Sequence, residues 1–420
     1  MLSVLAHNVG ADSLPAPGWL LGYLGAVVVL GTAAWLRGGW TTTRLPATSG
    51  DDDREADDLA GPRVGGWPLV GQLVGLALLV GTFVAAVMGP DSAAENVATL
   101  AVFRIWFYAL PLLALLAGDV MRAINPFQPI VAALERVTGR RGDAADAPPW
   151  TGAVFLFGFS WVYLAYHRPD SPRAVAVTLA AYSLAAVAGG LRWGRGWLAT
   201  GEGFGGLSAA LAGATGRRAP RVRGVLALAV VFVGAVVFDG LSTTEWWLEV
   251  LGGTSGWERT MLDTVGLVWM TAIVAAVALV ALRVAEQAPD DEGGDRAPVR
   301  LAAVVGLGLV PLAATWYLAD NLPLLLAEGQ SFLALLSDPI GRGWDLFGTY
   351  DLTIDYTIAT ADWVQWFQLA ALLAGHVGAV VLVHDGALGR LGRRRGMRAT
   401  WTMAGAAALS FVVAALLVLR

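Results

Sequence analysis

Apolar stretches of about 17 to 23 residues alternate with polar gaps along almost the whole chain. Each stretch is long enough, as a helix, to cross a hydrocarbon core of about 30 Å. The pattern therefore predicts an all-α, polytopic integral membrane helix bundle with about ten transmembrane helices. The predicted spans 1 to 10 lie near residues 18–36, 67–88, 97–118, 150–166, 173–191, 222–238, 261–283, 300–319, 362–384 and 397–419.

The arginines predict how this bundle is oriented. Lysine is absent, and 22 of the 28 arginines fall in the first, third, fifth, seventh and ninth gaps between spans. Cationic side chains near span ends resist crossing the bilayer, so the loops that carry them face the cytoplasm. We therefore expect an N-out/C-out topology in the cytoplasmic membrane of the cell.

Composition supports the membrane assignment and removes some chemistry. The chain is 56% hydrophobic and 15% charged, with a mean hydropathy of +0.61, which excludes a water-soluble multidomain protein. No cysteine is present, so disulfides, thiolate metal sites and thiol catalysis are excluded. The expected partner is the lipid bilayer; a membrane-protein partner or a homo-oligomer stays open, and nothing indicates nucleic-acid binding.

Two gaps are too long to be simple connectors. Residues 192–223 mix tryptophan, phenylalanine and leucine with six arginines, a composition that predicts a cytoplasmic amphipathic helix on the anionic leaflet. A flexible loop is the alternative. Residues 320–361 mix apolar side chains with aspartates, and we expect this segment to fold back as an outer cap over the bundle.

Arg104 is the one arginine placed inside the predicted hydrocarbon region, in the sequence LAVFRIWFY. A charge at that depth needs a partner. The candidates on the same outer side are Asp239, Asp320 and Glu328. Arg104 either forms a structural ion pair or snorkels to the surface, or it binds an anion or a carboxylate in an outward-facing vestibule.

Span 9 is the most polar of the ten. At about 100° per residue, its polar side chains fall within one half of the helix surface. They are either the lining of a pathway with His376 as its titrating group, or interhelical hydrogen-bonding groups that orient the span. Gly375 and Gly378 should let another helix approach His376 closely. The polar side chains are Gln365, Gln368, His376, His384 and Asp385.

Further candidates lie in loops. Asp345 and Asp355 belong to a glycine-rich, acidic and aromatic outer segment that either binds a cation or a partner protein, or forms a folded lid. The GxGxxG match at Gly201, Gly203 and Gly206 follows no strand, so we interpret it as a chance match.

A cofactor is not evident from the sequence. Copper or another histidine-bound metal is one possibility, with His7 and His376 as its candidate ligands. The few histidines are dispersed, and none are spaced four residues apart on a helix as chelating pairs often are.

Several motifs resemble a family of actinobacterial and haloarchaeal multi-pass membrane proteins labelled fenitrothion hydrolase. The resemblance implies hydrolysis of organophosphate esters, and it singles out His7, Asp119, Asn125, Asp239, Asp320, Gln330, Asp345, His376, His384 and Asp385. Asn8 follows His7 where the family pattern leads us to expect glycine. The matching segments are LAHNVGADSLPAP (5–17), GDVMRAINPFQP (118–129), FDGLSTTEWW (238–247), YLADNLPLLLAEGQ (317–330), SDPIGRGWDLFGTYD (337–351) and AGHVGAVVLVHDGAL (374–388).

Three functions stay open at this point. The first is a transporter or permease for a small solute or ion, with a polar pathway at span 9 and Arg104. The second is a membrane-embedded enzyme, or the membrane subunit of a redox or hydrolytic complex. The third is an assembly or anchoring protein. No nucleophile and base pair and no two-metal histidine and aspartate cluster is recognisable in the sequence.

Overall fold

The computed structural model describes residues 16–45, 67–217, 222–287 and 297–419, and these residues form helices and loops without a strand. Predictions for His7 lie outside the described residues. The α-helices are α1 (Gly18–Gly39), α2 (Trp67–Met88), α3 (Val97–Leu100), α4 (Phe107–Ala117), α5 (Val120–Ile124), α6 (Phe127–Thr138), α7 (Thr151–Leu164), α8 (Pro172–Thr200), α9 (Gly203–Ala214), α10 (Val225–Ser242), α11 (Glu245–Leu251), α12 (Gly256–Glu286), α13 (Ala297–Ser337) and α14 (Ala361–Val418).

The structure confirms an all-α, multi-pass membrane protein. Within the described ranges, eight helical segments are long and apolar enough to cross a bilayer. Thr151–Leu164, where the fourth span is predicted, is apolar but shorter, at 14 residues. The eight segments are Gly18–Gly39, Pro68–Met88, Val97–Ala117, Pro172–Ala214, Val225–Ser242, Gly256–Glu286, Leu301–Ser337 and Ala361–Val418.

The longest helix, α14, is two helices joined at Gly392. This glycine has φ 74° and ψ 175°, a conformation that breaks the helix and that L side chains rarely adopt. Nδ1 of His384 lies 2.9 Å from Oγ1 of Thr400, and Nε2 of His376 lies 3.2 Å from Oγ of Ser410. In each pair the two residues lie about equally far along the chain before and after Gly392, so the two halves of α14 run antiparallel. They coincide with predicted spans 9 and 10.

The first helix packs against this hairpin. A methyl group at Gly25 would meet the ring of Phe411, and one at Gly18 would meet the backbone of Leu419, so α1 runs antiparallel to the second half of α14. We call the end of the bundle that carries Gly18 and Leu419 the cap end. The opposite end, which carries Arg37, is called the arginine-rich end.

Helix α13 is twice as long as predicted. It runs for 41 residues through Pro311 and Pro323, about 60 Å at 1.5 Å per residue. The predicted cap over 320–361 is corrected accordingly, because its first part continues the helix. The sequence favoured a loop because Asp320 and Asn321 interrupt the apolar run, yet both are buried inside the bundle. The non-helical segment is therefore residues 338–360, which we call the cap.

The cap folds back onto α13. Oγ of Ser337 lies 2.7 Å from Oγ1 of Thr349. The side chain of Gln330 donates to the carbonyl of Asp355 at 3.0 Å and accepts from its amide at 2.9 Å. Most cap side chains are nevertheless exposed, so the cap is tied to α13 at a few points and is not buried by the bundle.

Residues 192–217 differ from the predicted surface helix. The chain breaks at Gly194, with φ 78° and ψ 171°, and then forms α9, whose residues are almost all buried. Gly194 lies against Gly142, and the guanidinium of Arg217 donates to the carbonyls of Leu115 and Leu116 at 2.8 and 2.5 Å. Both flanks therefore lie at the arginine-rich end, and the segment enters and leaves the core as a hairpin. The arginines occupy only its flanks, and the middle, which has Glu202 as its one ionisable side chain of the Asp/Glu/Lys/Arg type, is buried.

Candidate functional site

Arg104 lies on an irregular turn between α3 and α4. Residues Ala101–Trp106 form a π-helical segment, whose wider turn shifts the side chains relative to those of an α-helix. Such segments are rare and are concentrated at functional sites. The turn directs Arg104 towards α7 and α13, because its partners come from those helices.

The guanidinium of Arg104 forms one ion pair and two hydrogen bonds. Its Nε lies 2.7 Å from a carboxylate oxygen of Glu328 on α13. Its Nη1 donates to the hydroxyl of Tyr163 at 2.7 Å and to that of Tyr108 at 3.2 Å. Of the three predicted partners, Glu328 is in direct contact with Arg104.

The contacts continue from Tyr108 to the end of α10. The hydroxyl of Tyr108 donates to Oδ1 of Asn321 at 2.8 Å, and Nδ2 of Asn321 lies 3.3 Å from Oδ2 of Asp239. Asp239 is thus linked to Arg104 through two neutral side chains. We call this set the polar cluster: Arg104, Tyr108, Tyr163, Asp239, Asn321 and Glu328.

The polar cluster joins five helical elements near the cap end and stays partly accessible. The side chains of Arg104 and Glu328 are 25% and 22% exposed. A cation that is held by one carboxylate and two hydroxyls, and that is still partly open, can accept an additional anionic group. Asp320, the third predicted partner, is buried beside Gly240, next to this cluster on α13.

His376 is completely buried between α13 and the two halves of α14. Its Nδ1 lies 2.7 Å from the carbonyl of Leu372, and its Nε2 lies 3.2 Å from Oγ of Ser410. A carbonyl can only accept, so Nδ1 carries a proton, and in the neutral ring Nε2 accepts from the serine. The ring also contacts Trp316 and Phe411. These contacts match the interhelical alternative for His376.

His384 and Asp385 bind the segment that follows α1. Nε2 of His384 lies 2.8 Å from the carbonyl of Trp40. Oδ1 of Asp385 accepts from the indole of Trp40 and from the amide of Arg44, both at 2.7 Å, and Oδ2 accepts from the amide of Leu45 at 3.0 Å. Both side chains have zero exposure, so they fasten α1 to α14.

The remaining predicted candidates are apart from the polar cluster or sit in turns. Gln365 and Gln368 are buried, and Gln368 donates to the carbonyl of Ala319 at 3.0 Å. Asp345 accepts from the amide of Tyr350 at 3.1 Å, and Asp355 from that of Thr357 at 2.8 Å. The two aspartates therefore shape the cap.

Sequence reasoning missed a buried carboxyl group, Glu202, which has zero exposure. Its two oxygens accept from the amides of Phe204 and Gly205 at 3.1 and 2.7 Å, and the hydroxyl of Tyr182 donates to the first of them. The signal was present in the sequence, since Glu202 is the only charged residue between Arg195 and Arg217 and lies among glycines.

A second, partly buried carboxyl group, Asp119, lies beside α9. Oδ1 of Asp119 accepts from the hydroxyl of Ser208 at 2.8 Å and from the amide of Arg122 at 3.2 Å. Its Oδ2 is buried and accepts no hydrogen bond from the described residues. Burial raises the pKa of Asp119 above its ordinary value, although these two hydrogen bonds and the charge of Arg122 oppose the shift.

A cavity of about 250 Å³ lies beside α9 and between α2, α4 and α8. Its lining is almost entirely apolar and includes Leu79, Leu110, Trp106, Tyr182 and Phe204. Tyr182 and Phe204 line the cavity and also contact Glu202, so these two residues separate the cavity from that carboxyl group. A small apolar molecule fits this space.

The described residues contain no group of three or more histidine, cysteine, aspartate or glutamate side chains placed to hold a metal ion. In the polar cluster, neutral side chains and the guanidinium of Arg104 lie between Asp239 and Glu328. The two carboxylates therefore do not converge on one point where a metal cation could bind. Of the two predicted metal ligands, His376 uses both ring nitrogens in protein hydrogen bonds, and His7 lies outside the described residues.

Comparison of the chain with protein-family profiles, with curated proteins and with solved structures finds no match.

Proposed function

We propose that this multi-pass membrane protein is a transporter or permease for a small anionic solute or ion, and that the polar cluster is its outer binding site. The observation that carries the proposal is Arg104, a partly accessible cation within an apolar span, on a π-helical turn and beside Glu328. Charged groups at such depth are expensive, and in membrane proteins they mark substrate or ion pathways.

The hairpin over residues 192–217 supports transport in a second way. Transporters bind their solutes where a helix is interrupted inside the bilayer, because interruption frees backbone groups. Irregular backbone at membrane depth is tolerated only where protein or a cavity surrounds it. The interruption between Thr200 and Gly203 meets this condition, since the helix α9 that follows it is buried.

The proposal assigns ten crossings to the chain. Two features raise the eight long apolar segments to ten crossings. Thr151–Leu164 adds one crossing, and the break at Gly392 divides α14 into two. The arginine-rich end then faces the cytoplasm, and the cap end, with the polar cluster, faces outward. A solute would reach Arg104 from outside. The organophosphate hydrolysis that the family resemblance implies stays a prediction.

The test is a thermal-shift screen of the purified protein with chloride, inorganic phosphate, sulfate, acetate and glutamate as probes. A ligand that binds only the folded state raises the unfolding temperature in proportion to the logarithm of its concentration. At least one anion should stabilise the wild type and lose this effect in Arg104→Gln. Uptake of the same labelled anion into proteoliposomes should be lost in parallel.

The matched control is Arg259→Gln. Arg259 also forms a 2.7 Å ion pair, with Asp263, but on α12 away from the polar cluster. Each variant is compared with its own anion-free state, so a general loss of stability does not imitate a loss of binding. If no anion distinguishes the wild type from Arg104→Gln, or if Arg259→Gln loses the same response, the proposal is wrong.

A further inference from the structure

The start of α9 places one carboxyl group in the core of the bundle. Glu202 precedes α9, and its carboxylate accepts from the first free amides of that helix. A glutamate in this position ordinarily only caps a helix. Glu202 differs from an ordinary cap because it is completely buried inside a membrane protein, where an ionised carboxylate costs far more than in water.

Apolar and aromatic side chains surround this group. The ring of Phe204 contacts Phe107, Phe159 and Tyr182, with centroids 6.3, 4.9 and 5.5 Å away. A methyl group at Gly203 would lie 3.0 Å from Phe155 and Leu156 of α7. The carboxyl group therefore has no cationic partner among its described contacts, unlike Glu135, which pairs with Arg195 at 3.1 Å.

Among the residues that the structure describes, the titratable side chain in contact with Glu202 is Tyr182 of α8. A tyrosine hydroxyl both donates and accepts, whereas a carboxylate only accepts. When Glu202 is ionised, Tyr182 donates to it, as the structure shows. When Glu202 is protonated, its own hydroxyl donates and the tyrosine oxygen accepts. Both states therefore keep a hydrogen bond at the same place.

The other titratable groups described near α9 contact residues other than Glu202. Asp119 binds Ser208, about 9 Å along the helix from Glu202 at 1.5 Å per residue. From α6 and α8, Glu135 and Arg195 pair with each other, and from α7, Tyr163 binds Arg104. On α10 the titratable group is Asp239, which belongs to the polar cluster.

We infer that Glu202 is the proton-binding site that couples transport to the proton gradient, with Tyr182 as the hydrogen-bond partner of both its states. The inference rests on the proposed transport function. One proton is taken up by the carboxylate and later released, and no other bond changes. The side chain of Glu202 thus alternates between a charge of −1 and 0 beside the aromatic rings that surround Phe204. The two charge states give α9 two states of different stability in the core.

The experiment is chemical labelling with dicyclohexylcarbodiimide, an apolar reagent that modifies protonated carboxyl groups within membranes. The cavity lined by Tyr182 and Phe204 offers it a route to Glu202. The wild type is incubated with the reagent at a series of pH values, digested, and analysed by mass spectrometry. We expect a stable adduct on Glu202 whose yield falls several-fold as the pH rises.

The adduct should be absent in Glu202→Gln, which keeps one acceptor oxygen for an amide of α9 and has no carboxyl group to react. Glu328→Gln and Arg104→Gln should be labelled at Glu202 as the wild type is. In Tyr182→Phe the loss of the donor to the carboxylate should shift the labelling profile to higher pH. Labelling requires no transported solute, so its result is independent of the anion screen.

Two results would overturn the inference. Absence of the adduct at every pH would show that Glu202 stays ionised and only caps α9. A pH-independent yield would show that it stays protonated. If Glu202 is labelled as expected while no anion depends on Arg104, the proton site stands and the proposed solute class fails. If the anion screen succeeds and labelling fails, transport is not coupled through Glu202.

Discussion

The indole nitrogen of Trp40 lies 2.7 Å from Oδ1 of Asp385, a residue 345 positions further along the chain. The same carboxylate accepts from the amides of Arg44 and Leu45, and both Asp385 and the adjacent His384 are completely buried. This contact holds the segment that follows α1 against α14. It also shows that two polar residues at the end of an apolar helix have protein partners in the segment that follows α1.

Replacement of Asp385 should destabilise the protein strongly. Asp385→Ala removes the acceptor of three partly buried hydrogen bonds, and a donor that is left without a partner away from water costs about 1–3 kcal/mol. Thermal unfolding in detergent should therefore occur at a clearly lower temperature. Asp362→Ala, on the same helix but exposed, serves as control and should change the unfolding temperature little. Equal effects of the two substitutions would contradict the assigned contacts.

Two glycines on α14 should respond differently to alanine. A methyl group at Gly375 would overlap the side chain of Thr315 on α13, whereas one at Gly378 would meet nothing within 4 Å. Gly375→Ala should cost about 1–3 kcal/mol through overpacking. Gly378→Ala should be neutral or stabilise by up to about 1 kcal/mol, because alanine favours the helix. Thermal unfolding of both variants measures this, and a reversed order would show that α13 and α14 pack differently.

The cap should loosen in acid. Burial would raise the pKa of Asp338, but the amides of Arg342, Gly343 and their neighbours outweigh it and lower that pKa below its ordinary value. A carboxyl group with a lowered folded pKa stabilises the fold fully above its ordinary pKa of about 4. That contribution is lost as the pH falls through the lower, folded value.

A spin label can report this loosening, because the chain has no cysteine of its own. A nitroxide on Phe347→Cys, a 64% exposed position, should be restricted near neutral pH and become mobile below about pH 4. Adding Asp338→Ala should make it mobile at every pH, while Asp351→Ala should leave the profile unchanged. A label whose mobility does not depend on pH would refute the role of Asp338.

His376 should contribute to packing and not to metal binding. Wild type and His376→Ala, exposed to copper, zinc or iron and washed, should contain equal amounts of metal by elemental analysis, because both ring nitrogens already have protein partners. Ser410→Ala should lower the unfolding temperature less than His376→Ala, since it removes one contact of the ring and leaves the others. A stoichiometric loss of metal in His376→Ala would show that the histidine is a ligand.

The sequence predicted features that depend on one physical requirement, and missed those that depend on several elements meeting. Arg104 was singled out because a charge in hydrocarbon needs a partner, and Glu328 was among the three partners named. The π-helical turn and the tyrosine contacts could not be predicted, since they depend on which helices are neighbours. The same applies to His376, whose two alternatives differ only in what lies opposite the ring.

The hairpin over 192–217 was misinterpreted for an instructive reason. Averaged over the whole segment, the composition is basic and aromatic, which is typical of a surface helix. Taken residue by residue, the arginines stand at the two flanks, and the stretch between Arg195 and Arg217 has only Glu202 as a charge. Position within the segment, and not its average composition, therefore distinguishes a buried hairpin from a helix on the membrane surface.

The contact between α1 and α14 has a consequence for how the protein is made. Because Trp40 and Asp385 are 345 positions apart, the ribosome synthesises α1 more than 300 residues before the part of α14 that binds it. During that interval the glycine face of α1, which later packs against Phe411, is covered by lipid or by the insertion machinery. The contact between α1 and α14 is therefore absent throughout most of translation, and it is among the last contacts of the bundle to form.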